Sequence, residues 1–221
     1  MFCSRAKILR QKILIRSNFM ERTTVIVLRK TALREADAIV TAVSPDWGKL
    51  ELIGYGALSV NGKKFPVLDC FNELEIGFEV SEKGPGKLVD AELITSFAPV
   101  ADRLDIYRLS GKIAAFVLKN SAPELPMAIV YDTLRHVLGN LSLTAAGKDA
   151  SWSPEACGAV IKLACLQENG LLPEFEDEKI SMFFESVIEA GIEGTPLPQC
   201  APDYWRKLTL YLNTLLPEQG R

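Results

Sequence analysis

The chain has a single histidine, no Cys-x-x-Cys pair, no glycine-rich nucleotide loop and no long apolar run, and each shortage removes a class of function. With His136 alone, a histidine metal centre or a hydrolytic triad would have to be built around one imidazole, and position 140, where an i+4 ligand would stand, is Asn. His136 is therefore expected at a surface or as a cap. The five cysteines, Cys3, Cys70, Cys157, Cys165 and Cys200, are scattered, which signals neither a zinc knuckle nor a disulfide framework and fits reduced thiols in a cytosol. Neither G-x-x-x-x-G-K-[ST] nor G-x-G-x-x-G occurs, and the run EKGPGK places Pro85 where a phosphate-cradling loop needs a free N–H. The acidic run EFEDE, from Glu174 to Glu178, lacks the glycine and ligand spacing of a calcium loop and reads as a solvated face leading into a helix. No run approaches the roughly 18 apolar residues of a membrane span. Catalytic signatures are absent, so the chain reads as no enzyme, and no cofactor is implied.

Charge is unevenly divided. Residues 1–19 (MFCSRAKILRQKILIRSNF) hold five basic groups and no acidic one, whereas the rest of the chain carries a net −8. A broadly basic DNA-coating surface is thereby excluded, and a nucleic-acid site would have to be a local patch against an adverse field. The leader has Ile8, Leu9, Ile13 and Leu14 at loose helical spacing and lacks the apolar core of a secretory signal. It reads as an upstream extension with Met20 as the true start; a basic amphipathic arm or a targeting peptide is the alternative.

Hydrophobic periodicity divides the 221 residues in two. From Thr23 to Phe97, β-branched residues cluster in short runs between turn formers, giving expected strands at Thr23–Arg29, Ala36–Val43, Gly48–Gly54, Val67–Glu79 and Lys87–Phe97. Ser-Pro-Asp-Trp-Gly between the second and third reads as a hairpin turn, and Gly-Pro-Gly at 84–86 as the turn before the fifth. After Pro99 the period changes to about three and a half. Leu104, Tyr107, Leu109, Ile113, Phe116 and Val117 form one expected apolar helical face, and further helices are expected at Glu124–Leu138, Pro154–Glu168, Lys179–Ala190 and Pro202–Leu216. Ser153 and Pro154 suit an N-cap and first turn, and Gly170 a C-cap. Residues 139–151 and 191–202 read as long loops. The expected class is α+β: a basic leader (1–19), a five-stranded barrel (20–98) and an all-α domain (99–221).

A small five-stranded barrel generally binds rather than reacts, tracking a nucleic-acid strand with cations while aromatics stack on bases. The groups available for that are Arg29, Lys30 and Arg34 after the first strand, Lys49 and Tyr55 on the third, and Lys63 with Lys64 beyond it. The same groups read equally as solvated strand ends. Tyr204 and Trp205 read as packed in the helical domain.

The stretch EADAIVTAVSPDWGKLELIGYGA, followed by FPVLDCFNELEI and LVDAELITSF, resembles the RecO family of bacterial recombination mediators, and VIKLACLQENGLLPEF resembles the RecO helix that closes in Gly-x-x-Pro. The resemblance runs from about Met20 to the C terminus. It implies an N-terminal oligonucleotide-binding (OB) fold and a C-terminal helical domain. It also implies binding to single- and double-stranded DNA, annealing of complementary strands, and RecA loading with RecR and the acidic, aromatic-ended tail of single-strand-binding protein, in a bacterial cytoplasm near the nucleoid and away from membrane. Three departures stand out. Ala38 occupies a place where the family often has arginine, and the tract after the third strand is thinned to ALSVNGKK. Many members carry a four-cysteine zinc site after the Gly-x-x-Pro segment, where this chain reads EFEDEKI, so no zinc is expected. A protein-interaction scaffold of the same family with weak DNA binding is the second reading.

Overall fold

The computed structural model describes residues 20–59, 64–81 and 83–215; the leader and Lys63 lie outside them. The chain folds as two compact units, one running to Val43 and resuming over Lys49–Ser96, the other made of Ser44–Gly48 and the chain from Phe97 onward.

The first unit is an OB-fold barrel. Its strands are β1 (Met20–Ala32), β2 (Ala38–Ser44), β3 (Gly48–Gly54), β4 (Asn72–Glu79) and β5 (Gly86–Ser96), closed in the order β1-β2-β3-β5-β4. β1 pairs antiparallel with β4 through Met20–Ile26 and with β2 through Ile26–Ala32, while β3 and β5 are the parallel pair. Closure of this kind leaves few strand edges unpaired. The interior is filled by alternating residues such as Val25, Val27, Leu74, Ile76, Phe78 and Leu88, all at most 1% exposed.

The fourth strand is shorter than its sequence suggests. Residues 67–71 were expected as strand, but Phe71 takes a left-handed φ of 64°, and Asp69 N–H turns back to the Val67 carbonyl at 2.9 Å. The apolar side chains there are nevertheless buried, Leu68 at 1% and Phe71 at 6%. They are used as a plug and have no ladder to join, which explains strand-like hydrophobicity without a strand. β1 conversely extends beyond its expected ends, because each end finds a different partner strand.

The second unit holds a 3₁₀ turn (Ala98–Asp102) and five helices: α1 (Leu104–Lys119), α2 (Ala128–Ala145), α3 (Pro154–Glu168), α4 (Glu178–Glu193) and α5 (Pro202–Leu215). α3 is apolar nearly all round and buries Cys157, Val160, Ile161, Leu163, Ala164, Cys165 and Leu166, the pattern of a central helix. Ser153 caps it, accepting from Ala156 N–H, and Gly170 with φ 65° ends it in a Schellman motif, with Leu171 N–H on the Leu166 carbonyl and Gly170 N–H on that of Gln167.

Two helical expectations need correction. α2 starts at Ala128, since Glu124 has a φ of 61° and Pro126 disfavours helix at Leu125. It continues through the expected loop as far as Ala145, because Leu138, Leu141 and Ala145 prolong one buried face. In α1 the buried face is Ile106, Ser110, Ile113, Ala114 and Val117, while Leu104 and Tyr107 are 62% and 49% exposed. A face through Ile113 and Val117 extrapolates at 3.6 residues per turn to Ser110 and Ile106, and this register prevails over the polarity of one serine.

Gly48 ends the β2–β3 turn with φ 65° in a close-packed site. A Cβ there would fall against the carbonyl oxygens of Leu125 and Ala122, the latter at 2.5 Å. Around it, Trp47 accepts from Glu124 N–H and Pro45 from Met127 N–H, both at 2.9 Å. Gly48→Ala therefore meets both left-handed strain and backbone that cannot yield. The expected loss is about 2–4 kcal/mol in urea unfolding, set against a Gly147→Ala control, whose φ is also positive (66°) but whose added Cβ meets nothing.

Glu168 supplies a cap in place of the missing side-chain cap at Met127: its carboxylate accepts from Val130 N–H at 3.1 Å at the start of α2. Burial raises its pKa more than these backbone hydrogen bonds lower it. The folded state then takes up the proton first, so the ionised carboxylate costs stability at neutral pH. That cost disappears as pH falls through the folded pKa toward the unfolded value of about 4.3. Glu168→Gln lacks this titration. In paired urea melts the wild type should gain on Glu168→Gln as pH falls from 7 toward 4.5, and Glu168→Ala should lose about 1 kcal/mol at pH 7.

Candidate nucleic-acid interface

Of the seven residues singled out in the barrel, five fall into two groups, Lys30 stands apart from both, and Lys63 lies outside the described residues. The first group lies on the outer face of β1–β2–β3. A bulge between Val27 and Arg29 opposes two β1 residues to one step of β2, and this reverses the inside–outside parity of the strand. Val25 and Val27 are buried, whereas Arg29, next in the odd-numbered series, is exposed. Its Nε and Nη2 donate to Thr41 Oγ1 at 3.4 and 3.3 Å, and Nη2 stands 3.8 Å from Glu51 Oε1 on β3. Lys49 lies two residues before Glu51 and so on the same face of β3. Among the described residues it has no ion-pair partner.

The second group gathers at one barrel end. The β1–β2 connection folds back on itself, with Leu33 N–H on the Asp37 carbonyl at 3.0 Å. Asp37 then ties it to the β3–β4 connection: Oδ1 accepts from Gly56 N–H at 2.9 Å, and Leu58 N–H donates to the Ala36 carbonyl at 2.9 Å. Lys64 N–H donates to the Gly56 carbonyl at 3.3 Å. Arg34, Tyr55 and Lys64 are thus carried by two connections stitched to each other. All three are exposed, Tyr55 at 44%. Lys64 Nζ sits 5.3 Å from the Phe65 ring centroid, which holds the ammonium without neutralising it.

Lys30 belongs to neither group. Its Nζ donates to Asp69 Oδ1 at 2.9 Å and its side chain is only 16% exposed, so its charge is already answered. Beside it, burial pushes the Cys70 thiol up, away from thiolate character. Sequence reasoning named the cations and missed these carboxylates. Glu51 was visible only through the β-period from Lys49, and Asp69 not at all, because the turn that delivers it was expected as strand.

The opposite side of the barrel is acidic and self-paired. Arg22 bridges Glu75 and Asp90 at 3.2 and 3.1 Å, and Lys87 meets Glu79 at 3.1 Å. Among the described residues of the barrel, the cations left without an ion-pair partner are Lys49 on β3, Arg34 and Lys64 at the stitched end, and Lys83 in the β4–β5 turn.

In the helical unit the reactive side chains are absorbed by packing. His136 Nδ1 lies 3.1 Å from the Gly191 carbonyl, one of the last in α4, as a C-terminal capping group does. Its ring meets the buried Trp152 edge-on at 6.4 Å. Burial pushes the thiols of Cys157 and Cys165 up to about 12, which makes them inert as nucleophiles. Trp205 is 5% exposed and Tyr204 stacks edge-on against Phe183 at 5.4 Å. No helix among the described residues is long and apolar enough to cross a membrane.

Comparison with known proteins converges on the same architecture. The family model described as Recombination protein O N terminal matches residues 20–97, which is the barrel. Proteins named DNA repair protein RecO from Listeria welshimeri serovar 6b and Listeria monocytogenes serotype 4a are each 22% identical over 157 residues, covering 71% of this chain and 58% of theirs. The DNA repair protein RecO of Nostoc sp. is 25% identical over 187 residues, covering 77% and 61%. The matches thus span about three fifths of the length of these relatives. The barrel, by its strand order and closure, is the part that matches the RecO N-terminal family model, and the chain as a whole is similar to these RecO proteins.

Proposed function

We propose that this chain is a DNA repair and recombination mediator that binds single- and double-stranded DNA on its barrel, anneals complementary strands and helps RecR load RecA onto single strands. The organisation proposed with it is a leader (1–19), a DNA-binding barrel domain (20–98) and a partner-binding helical domain (99–221), working in the bacterial cytoplasm at the nucleoid. The work is positioning, with no bond made or broken. The observation that carries this reading is the clustering of open cations on an OB barrel: Arg34, Lys49 and Lys64 face outward beside an exposed Tyr55, while Arg22 and Lys87 on the β4–β5 side are paired. Cations neutralise phosphate and release counterions, and an exposed ring offers any base a stacking surface. Lys63, next to Lys64 in sequence, is included in the site on its position alone. Two strands held with their phosphates partly neutralised repel each other less, which is the physical basis of annealing.

The carboxylates at Glu51 and Asp69 favour a second reading, a scaffold of the same family with weak DNA affinity. They stand 3.8 Å from Arg29 and 2.9 Å from Lys30 and compete with phosphate for both. Salt decides between the two. Three open cations predict a slope of log K against log salt of about −2 on single strands, at roughly −0.7 per contact.

Fluorescence anisotropy with a labelled oligonucleotide, titrated in salt, checks this. Arg34→Ala with Lys64→Ala should flatten the slope by about 1.4, and an unchanged slope would remove both residues from the site. Binding that is undetectable at low salt, together with retained capture of RecR, would establish the scaffold instead. Glu51→Gln frees Arg29 without adding a cation, and should tighten binding two- to fivefold, about 0.4–1 kcal/mol. The same change at Glu92, exposed on β5, should leave affinity unaltered.

A further inference from the structure

The helical unit contains a groove of about 810 Å³ between the end of α3, residues 172–175 and one side of α4. Its floor is apolar: Leu172, Phe175, Ile188 and Ile192 are half-buried around the buried Phe184, whose ring stacks on Phe175 at 4.6 Å. Its rim is of one sign. Glu185, Glu189 and Glu193 recur every fourth residue along α4, Glu174 stands on the facing segment, and no cation lines the groove.

From Leu171 to Glu193 the sequence has seven acidic residues and a single basic one, Lys179. Like charges four apart on a helix repel, so this ladder costs α4 stability. Nothing among the described residues compensates it: none of the four glutamates is in an ion pair, and Glu185 receives only the Ser181 hydroxyl at 3.0 Å. An uncompensated anionic ladder beside a half-exposed apolar floor is complementary to a segment with the opposite rim and a similar floor.

We propose that this groove docks a basic, apolar-bearing segment of a partner protein, laid along α4 with its apolar side chains on Ile188 and Ile192 and its Lys or Arg groups against Glu185, Glu189 and Glu193. Helix-in-groove recognition has this form: apolar anchors supply affinity while the charged rim fixes orientation and rejects acidic competitors. An acidic, aromatic-ended tail, as expected from the family resemblance, is repelled here and has to be held elsewhere.

The test uses the full chain and a fluorescein-labelled peptide of Leu and Lys at helical spacing. Glu185→Gln with Glu189→Gln should weaken binding about tenfold or more, as should Ile192→Ser, with thermal melts confirming that both variants remain folded. Glu92→Gln in the barrel should change nothing, and oligonucleotide affinity should be untouched by the groove variants. DNA binding and groove binding therefore fail separately. Equal binding of a Lys/Ser peptide of the same charge would reduce the site to a diffuse field and overturn the proposal, as would tighter binding of an acidic peptide ending in Phe. If starting the chain at Met20 markedly raises peptide affinity, the occupant is the chain's own leader, and the assignment to a partner falls.

Discussion

The double pairing of β1 is the constraint on which the barrel depends. One strand of 13 residues serves β4 with its first half and β2 with its second, meeting both at Ile26, and only a strand that bends there can close the ring. The bulge between Val27 and Arg29 supplies that bend. It also settles where a charge goes. Without the extra residue Arg29 would share the inward face of Val25 and Val27, and a guanidinium inside a filled barrel would cost several kcal/mol. The device that closes the fold is thus the one that delivers a cation to the outer surface.

The sequence carried the architecture well and the site poorly, for identifiable reasons. β3 and α3 were legible to the residue because their bounds are marked by chemistry: Gly48 and Gly54 at one, Ser153-Pro154 and Gly170 at the other. Residues 67–71 misled because a buried plug and a buried strand share the same hydrophobicity, and only Phe71's left-handed φ separates them. α2 misled because turn-forming composition after Gly139 hid the spacing of Leu138, Leu141 and Ala145. The cations of the site were named by type alone. What distinguishes Lys30 from Lys64 is whether a carboxylate is delivered beside it, and that depends on a turn and a bulge, which no local pattern encodes.

Packing explains equally why the helical unit reads as chemically silent. His136 is committed to a carbonyl of α4, and Gly194 beyond that helix is held to glycine because a Cβ would lie 2.6 Å from the imidazole. Trp152 spends its indole N–H on the Thr195 carbonyl at 2.9 Å and its backbone N–H on Asn140. These polar groups are buried and answered, the arrangement that fixes a unique core. Among the described residues of this unit, Ser110 Oγ, Thr133 Oγ1 and Arg135 Nε are buried without a partner, and at the surface of α4 the carboxylates gather without an ion pair.

The formal charge of the chain is therefore a poor guide to what it binds. At physiological ionic strength exposed charges separated by more than about 8 Å are largely screened from one another, and a barrel with a filled interior is wider than that. The acidic side of β4 and β5 has little influence on a phosphate at the stitched end or on β3. What weighs there is the nearest carboxylate, Glu51 at 3.8 Å from Arg29 and Asp69 at 2.9 Å from Lys30. The second pair is the shorter and the less exposed, so it is the harder to break. A polyanion approaching this barrel can recruit Arg29 at small cost by displacing an exposed carboxylate, whereas recruiting Lys30 would strand Asp69 beside it. The field that matters is set by two acidic side chains, while the net charge governs only how the whole molecule drifts in solution.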